Sequence, residues 1–293
     1  MQVAVSLPGD GRRVVCATLG PVAPPASAPA RTLRRGLLTG SALAATAAAG
    51  YAAPSLARLL PPRWRATPRL SGIGDPGHVA LTFDDGPDPK STPAIMRALA
   101  ERGWSATFFC LGTMTAASPG LAAELVACGH EVAVHGWSHD GAVRRSPTDL
   151  TDDVRRCRDV IADATGTAPH WYRPPYGELS VGSLVAARAT DLRLVLWSAW
   201  GRDWRAEATP ASVLADVGRG VVPGGTVLLH DSDCTSATSS WRTTVAALPL
   251  LAELFDGLGL RVGTLAEHGL DGARPAARVV KNGVARAHAL RPA

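Results

Sequence analysis

The stretch Leu81-Thr82-Phe83-Asp84-Asp85-Gly86-Pro87 decides how this chain is read. Its lead-in from His78 to Phe83 is apolar and β-branched, the composition of a buried strand, and Asp-Gly-Pro then ends that strand in a turn. Two carboxylates are left at a strand's carboxyl end. Adjacent side chains in extended structure face opposite ways, so one aspartate can meet a metal ion while its neighbour addresses a water. Downstream, His135-Gly136-Trp137-Ser138-His139 sets two imidazoles at i and i+4. That spacing predicts a helical turn with both ring nitrogens on one side. Asp85, His135 and His139 then form a ligand set of one carboxylate and two imidazoles that leaves coordination positions open, and Asp84 remains available as a base.

Working outward, similar runs recur at Ala106 to Leu111, Glu131 to His135, His170 to Arg173, Arg193 to Ser198, Thr226 to His230 and Arg261 to Leu265. With the first run they make seven expected strands. Helical patterns fill the intervals at Thr92 to Arg102, Leu121 to Cys128, Leu150 to Thr165, Ser180 to Arg188, Pro210 to Arg219 and Trp241 to Leu258. One helix per crossover predicts an α/β fold with a parallel sheet, and seven such units predict a closed or nearly closed (β/α)7 barrel. Reactive groups in such barrels gather at the carboxyl ends of the strands. Here Asp84 and Asp85 end the first strand, His135 the third, Arg173 the fourth and His230-Asp231 the sixth, while Asp203-Trp204 follows the fifth. Polar residues with no shared role would not collect at one end of five strands.

The ordered series Thr82-Phe83-Asp84-Asp85-Gly86, His135-x3-His139, Arg173-Pro174-Pro175-Tyr176, Asp203-Trp204 and Leu228-Leu229-His230 resembles the polysaccharide deacetylase family, the NodB homology domain of carbohydrate esterase family 4. The likeness spans about residues 75 to 268. It implies a distorted (β/α)7 barrel that removes acetyl groups from sugars. It also implies that Asp85, His135 and His139 hold a divalent ion, expected to be zinc, which polarises the acetyl carbonyl and acidifies the attacking water. By the same resemblance Asp84 is the base, paired with Arg173, and His230 is the acid, paired with Asp203. The backbone N–H of Tyr176 would stabilise the oxyanion. Trp204 and Leu228 would receive the acetyl methyl, with Pro175 and Trp200 also expected at the substrate.

Two departures from the family pattern stand out. Gly136 follows the first metal histidine where relatives often carry Ser or Thr, which puts the rigidity of that loop in question. Trp200 stands where relatives often have Asp, making Trp197-Ser198-Ala199-Trp200-Gly201-Arg202-Asp203-Trp204 rich in indole. Indoles stack on sugars and also fill cores, and both readings are open for Trp200. Trp137 is expected at the rim of the cleft.

Charge divides the chain. Residues 1–70 carry nine Arg against one Asp, and residues 271–293 carry five basic groups against one acid, whereas the central 200 residues hold 16 basic and 23 acidic groups. The overall +5 therefore gives no case for a nucleic-acid partner. Residues 1–57 read as an extension with a twin-arginine-like export signal or anchor: Arg34-Arg35 precedes an Ala-rich apolar run to about Ala53, with Ser55-Leu56-Ala57 as a cleavage site. Residues 58–74 read as a linker, 75–268 as the catalytic barrel and 269–293 as a basic tail. An exported bacterial protein is expected, secreted, in the cell wall or held at the membrane by its apolar segment, and monomeric. Among the cysteines, Cys110 is expected to be buried and Cys234 exposed, and no disulfide pairing follows from spacing.

The leading functional expectation is a metal-dependent N-deacetylase acting on an N-acetylglucosamine polymer, peptidoglycan ahead of chitin. An O-acetyl esterase of the xylan type would use the same groups. A carbohydrate-binding relative without activity would have no need of Asp84, Arg173 and His230 together.

Overall fold

The computed structural model describes residues 46, 48–53 and 67–270. Among them are eight strands: β1 (His78–Asp84), β2 (Thr107–Cys110), β3 (Glu131–Val134), β4 (Trp171–Tyr172), β5 (Arg193–Leu194), β6 (Ala199–Trp200), β7 (Thr226–His230) and β8 (Arg261–Gly263). The helices between them are α1 (Thr92–Ala100), α2 (Gly112–Ala117), α3 (Pro119–Ala127), α4 (Pro147–Thr165), α5 (Val181–Ala189), α6 (Pro210–Gly220) and α7 (Ser240–Gly257), with a 3-10 turn at Pro175–Gly177. Local chemistry sets several of the helix boundaries. Ser146 caps α4 by accepting from Asp149 N, and the helix stops at Gly166, which has φ 66°. Capping boxes start α5 at Ser180 and α6 at Thr209.

All strand pairs are parallel, in the order β5-β4-β3-β2-β1-β7-β6. β8 adds to the start of β1, with His78 opposite Arg261 and Ala80 opposite Gly263. β1 is buried along all seven residues, as expected for a strand flanked on both edges and covered on both faces. Its alternate residues Val79, Leu81 and Phe83 enter the main core between sheet and helices, where Phe83 stacks on Phe108 with ring centroids 5.1 Å apart. The opposite face carries Ala80, Thr82 and Asp84, and Ala80 packs with Phe109, Ala133, Trp171 and Val195. Period-two alternation thus turns Asp84 towards the barrel interior. The arrangement is a distorted (β/α)7-type barrel.

One expected strand is divided. The run Arg193 to Ser198 forms β5 against β4, and its continuation Ala199–Trp200 forms β6 against β7. Val195 N still donates to Tyr172 O at 3.1 Å, and Ser198 N donates to Thr226 O at 3.0 Å. The chain therefore crosses from one edge of the sheet to the other within a few residues. The barrel closes through this crossing instead of through a single paired strand.

Residues 67–74 pack on the floor of the barrel. Gly74 N donates to Gly224 O, Thr226 Oγ1 donates to Gly72 O, and Leu196 N donates to Leu70 O. Leu270 is buried in the inner cluster. The last part of the expected linker and the first residues of the expected tail thus belong to the barrel body. Within the helical stretch 48–53, Tyr51 Oη donates to Arg145 O at 2.5 Å. Among the described residues no helix is long and apolar enough to cross a membrane. Arg34-Arg35, the expected cleavage site and the tail from 271 onward lie outside the described residues. Cys110 and Cys157 are buried, Cys128 and Cys234 are exposed, and all four are free thiols.

Candidate active site and metal centre

A cleft of about 320 Å³ opens at the carboxyl ends of the strands, lined by Asp84, His135, His139, Tyr176, Trp197, Trp200, Trp204, Leu228, His230 and Thr235, among others. Asp85 sits directly behind it, 1% exposed. The two aspartates do not diverge to opposite faces as extended geometry predicts. Asp85 takes a left-handed backbone, φ 87°, which swings its side chain back towards its neighbour's. His135 Nε2 lies 3.6 Å from Asp84 Oδ2 and 3.5 Å from Asp85 Oδ1.

The two histidines are also brought together differently from the expected helical turn. Residues 135–139 form a loop after β3, and Gly136 at φ 96° supplies a reversal that a residue with a Cβ adopts only under strain. The loop is nonetheless braced. Gly112 N donates to Gly136 O, Thr113 N donates to Trp137 O, and Trp137 N donates to Asp153 Oδ2 at 2.7 Å. Asp153 on α4 thus braces the loop from 16 positions away. Trp137 does not line the cleft. It packs against Gly112 and lies beneath the Arg156 guanidinium, 3.4 Å from its ring centroid.

His135 Nδ1 lies 2.8 Å from Arg173 O. A carbonyl only accepts, so Nδ1 carries the proton and Nε2 turns its lone pair to the site. His139 Nε2 stands 3.4 Å from Asp85 Oδ1, and the Tyr176 ring packs edge-on at 4.3 Å between centroids. Burial, with His135 next, pulls the His139 pKa down to about 4, so at neutral pH its imidazole is neutral and able to ligate. Burial raises the Asp85 pKa, but His230, His135, His139 and a hydrogen bond from Thr235 outweigh it and hold the carboxyl below its ordinary value. Asp85 Oδ1 is buried and has no hydrogen-bond partner. Three ligand atoms from Asp85, His135 and His139 lie within 4.8 Å of one another. Two donors about 2.0–2.1 Å from a tetrahedral ion sit about 3.3–3.4 Å apart, so this convergence of lone pairs fits a divalent cation of zinc's size.

Beside Asp84, Arg173 is fully buried and extends one guanidinium nitrogen to Asp84 Oδ1 at 2.6 Å and to Thr82 Oγ1 at 2.9 Å. The second terminal nitrogen donates to Leu196 O at 2.8 Å, and the Phe109 ring lies 3.9 Å from the guanidinium carbon. Asp84 is thereby fixed through Oδ1. On the opposite side, His230 Nδ1 pairs with Asp203 Oδ1 at 2.8 Å, while Asp203 Oδ2 accepts from His230 N and from Thr244 Oγ1. Burial disfavours the imidazolium, but Asp203, followed by Asp85 and Asp84, overrides it and pushes the His230 pKa up to about 9. Around these groups Trp200 stacks with Trp204 at 6.2 Å and tilts against Trp197 at 5.6 Å. Trp204 is 38% and Tyr176 59% exposed. Tyr176 is left-handed, φ 58°, which sets it on the lip of the cleft. Pro175 is buried beneath that lip and does not line the cleft.

Four residues support these groups through contacts the sequence does not indicate. Thr244 and Asp153 lie in helices where nothing local marks them, and Thr82 and Asp231 stand in the expected strand-end motifs without a supporting role assigned to them. Asp231 accepts from Gly86 N at 3.0 Å and from Thr92 Oγ1 at 2.5 Å; a Cβ at Gly86 would fall 2.0 Å from its Oδ2. Its place beside His230 at the strand end is the part of this that the sequence shows.

The sequence profile of the polysaccharide deacetylase family matches residues 72–195. A chitooligosaccharide deacetylase of Bradyrhizobium is 36% identical over 195 residues, which cover 64% of this chain and 88% of that protein. The chain belongs to the polysaccharide deacetylase family. A peptidoglycan-N-acetylglucosamine deacetylase of Listeria monocytogenes is 34% identical over 164 residues, 55% of this chain but 34% of that longer protein. Among solved structures, a family 4 carbohydrate esterase from Streptomyces lividans in complex with acetate superimposes with a TM-score of 0.57 at 33% identity, covering 64% of this chain and 92% of that one. These relatives support a deacetylase-type hydrolase, with an Asp-His-His group that could hold a metal ion.

Proposed function

We propose that the protein is a metal-dependent polysaccharide deacetylase that removes N-acetyl groups from an N-acetylglucosamine polymer of the peptidoglycan or chitin type. The observation that carries this reading is the buried, unpartnered Asp85 Oδ1 facing two imidazole nitrogens, flanked by the Asp84–Arg173 and His230–Asp203 pairs. Asp85, His135 and His139 would hold the ion, expected to be zinc. When bound, such an ion polarises the acetyl carbonyl and acidifies water.

The remaining chemistry belongs to the side chains. Asp84, oriented by Arg173, takes a proton from the attacking water through Oδ2, the oxygen that Arg173 leaves open. Tyr176 N–H at the cleft lip stabilises the oxyanion. His230, held protonated by Asp203, gives its proton to the leaving amine as the C–N bond breaks. Leu228 and Trp204 enclose the acetyl methyl, and Trp200 offers a sugar face an apolar wall. The names of the relatives favour the amide over the xylan-type ester. Arg34-Arg35 and the apolar run after them support export, where such a polymer is met.

The test is acetate release by the full chain from N-acetylglucosamine oligomers, peptidoglycan and acetylated xylan, with and without chelator and added zinc. Chelator-sensitive release from an amide substrate is expected. Release from acetylated xylan alone would make the protein an O-acetyl esterase. Full activity under chelator would overturn the metal reading.

A further inference from the structure

Asp85 is held from outside its own strand. Thr235, on the loop between β7 and α7, donates from Oγ1 to Asp85 Oδ2 at 2.6 Å, because a carboxylate can only accept. Among the described residues this is the hydrogen bond that the Asp85 side chain makes, since Oδ1 has no partner. The loop that presents Thr235 is itself pinned to the segment just after Asp85. Asp231 grips Gly86 N and Thr92. Ser232 Oγ donates to Asp88 Oδ2 at 3.1 Å and accepts from Cys234 N at 3.2 Å. Asp233 Oδ2 accepts from Ser239 N at 2.6 Å.

We infer that Thr235 is a positioning residue for metal binding: its hydroxyl occupies Asp85 Oδ2, so that Oδ1 alone is presented to the ion beside His135 and His139. This rests on the proposed metal site. A carboxylate on a short side chain otherwise rotates freely about its last bond, and ordering it on binding costs affinity. Hydrogen-bonded partners of metal ligands typically contribute 10–100-fold in affinity. Thr235 also lines the cleft, which places the same residue against both the ion's ligand and the substrate space.

The experiment is zinc affinity of the full chain, measured by competition with a chromophoric chelator, for wild type, Thr235→Val, Thr235→Ala and Thr235→Ser. Thr235 is exposed on its loop, and melting under chelator checks that each variant folds. The Val and Ala variants are expected to bind zinc about 10–100-fold more weakly, with Ser close to wild type because it keeps the donor. Wild-type affinity in both Val and Ala overturns the inference while leaving the metal site standing. A wild-type chain that binds no zinc removes the metal reading and this inference together.

Discussion

Histidines cluster at both ends of the barrel, and their surroundings separate a site from a clamp. At the floor, His78 Nδ1 and His268 Nδ1 lie 2.7 Å apart, and His268 Nε2 lies 3.0 Å from Gly72 O and 2.8 Å from Gly224 O. Those carbonyls require the proton on His268 Nε2, so His268 Nδ1 accepts from His78. The pair staples residues 72 and 224 to the turn that carries His268, near the end of the described residues. At the mouth, His135 Nδ1 is likewise tied to a carbonyl, but its Nε2, His139 Nε2 and Asp85 Oδ1 face one another with no donor between them. The same residue type serves as a clamp where its nitrogens bond one another and backbone carbonyls, and is proposed as a ligand where its nitrogens converge on an unpartnered carboxylate oxygen.

Substitutions that act on one end only should break this comparison most sharply. Asp84→Asn should reduce kcat by about 10²–10⁴-fold while zinc content, read by elemental analysis, stays at wild type. Undiminished turnover would remove Asp84 as the base. His139→Ala should lose zinc and activity together. His268→Ala at the floor should leave zinc affinity unaltered and lower stability by about 1–3 kcal/mol, because buried His78 Nδ1 loses its acceptor while the Gly72 and Gly224 carbonyls each lose one of two donors. Zinc retained by the His139 variant at wild-type affinity would place the ion elsewhere.

The next effect concerns the acid. Activity should fall on the alkaline side as His230 loses its proton. Against the cost of burial, Asp203, with Asp85 and Asp84, raises the His230 pKa to about 9, and a bound cation, adding positive charge to the same pocket, would set the observed limb lower. Asp203→Asn should move the limb further towards acid by about 1–3 units, read from kcat against pH. A limb that stays in place would mean that another group donates the proton.

The contrast between mouth and floor was only partly legible in the sequence. Strand-end polarity exposed Asp84, Asp85, His135, Arg173, Asp203 and His230, because a parallel barrel delivers every such end to one rim. The crossing at 193–200 was hidden, since a continuous apolar run does not reveal that its halves pair with different edges. The direction of the Asp85 side chain and the path of residues 135–139 differ from the extended and helical geometries that local spacing predicts, because spacing carries only what neighbours in sequence impose. Their directions come instead from Asp231, Asp153 and Thr235, between 16 and 150 positions away from the groups they hold. No local pattern records such partners. His78 and His268, 190 positions apart, were invisible as a pair for the same reason.

That floor pair yields the mildest prediction, one of stability and not of catalysis. Burial first, then His268 and Arg261, outweigh Glu267 and Asp75 to bring the His78 pKa down to about 4 from its ordinary 6.5. The folded state therefore resists a proton that the unfolded chain accepts below pH 6.5. Stability is full above that pH and declines as pH falls towards 4, by on the order of 3 kcal/mol for a shift of this size. His130, whose pKa burial also lowers to about 4, adds a slope of the same sign. Asp231, whose pKa burial raises to about 7, gives a slope of the opposite sign, so the readout is a difference: urea unfolding between pH 7.5 and 4.5 should show less acid loss for His78→Phe than for wild type, with acetate release at pH 7.5 intact. An undiminished acid slope in that variant would mean that the floor pair is not its source. Lost activity at neutral pH would tie the floor to the mouth, against the separation drawn between them.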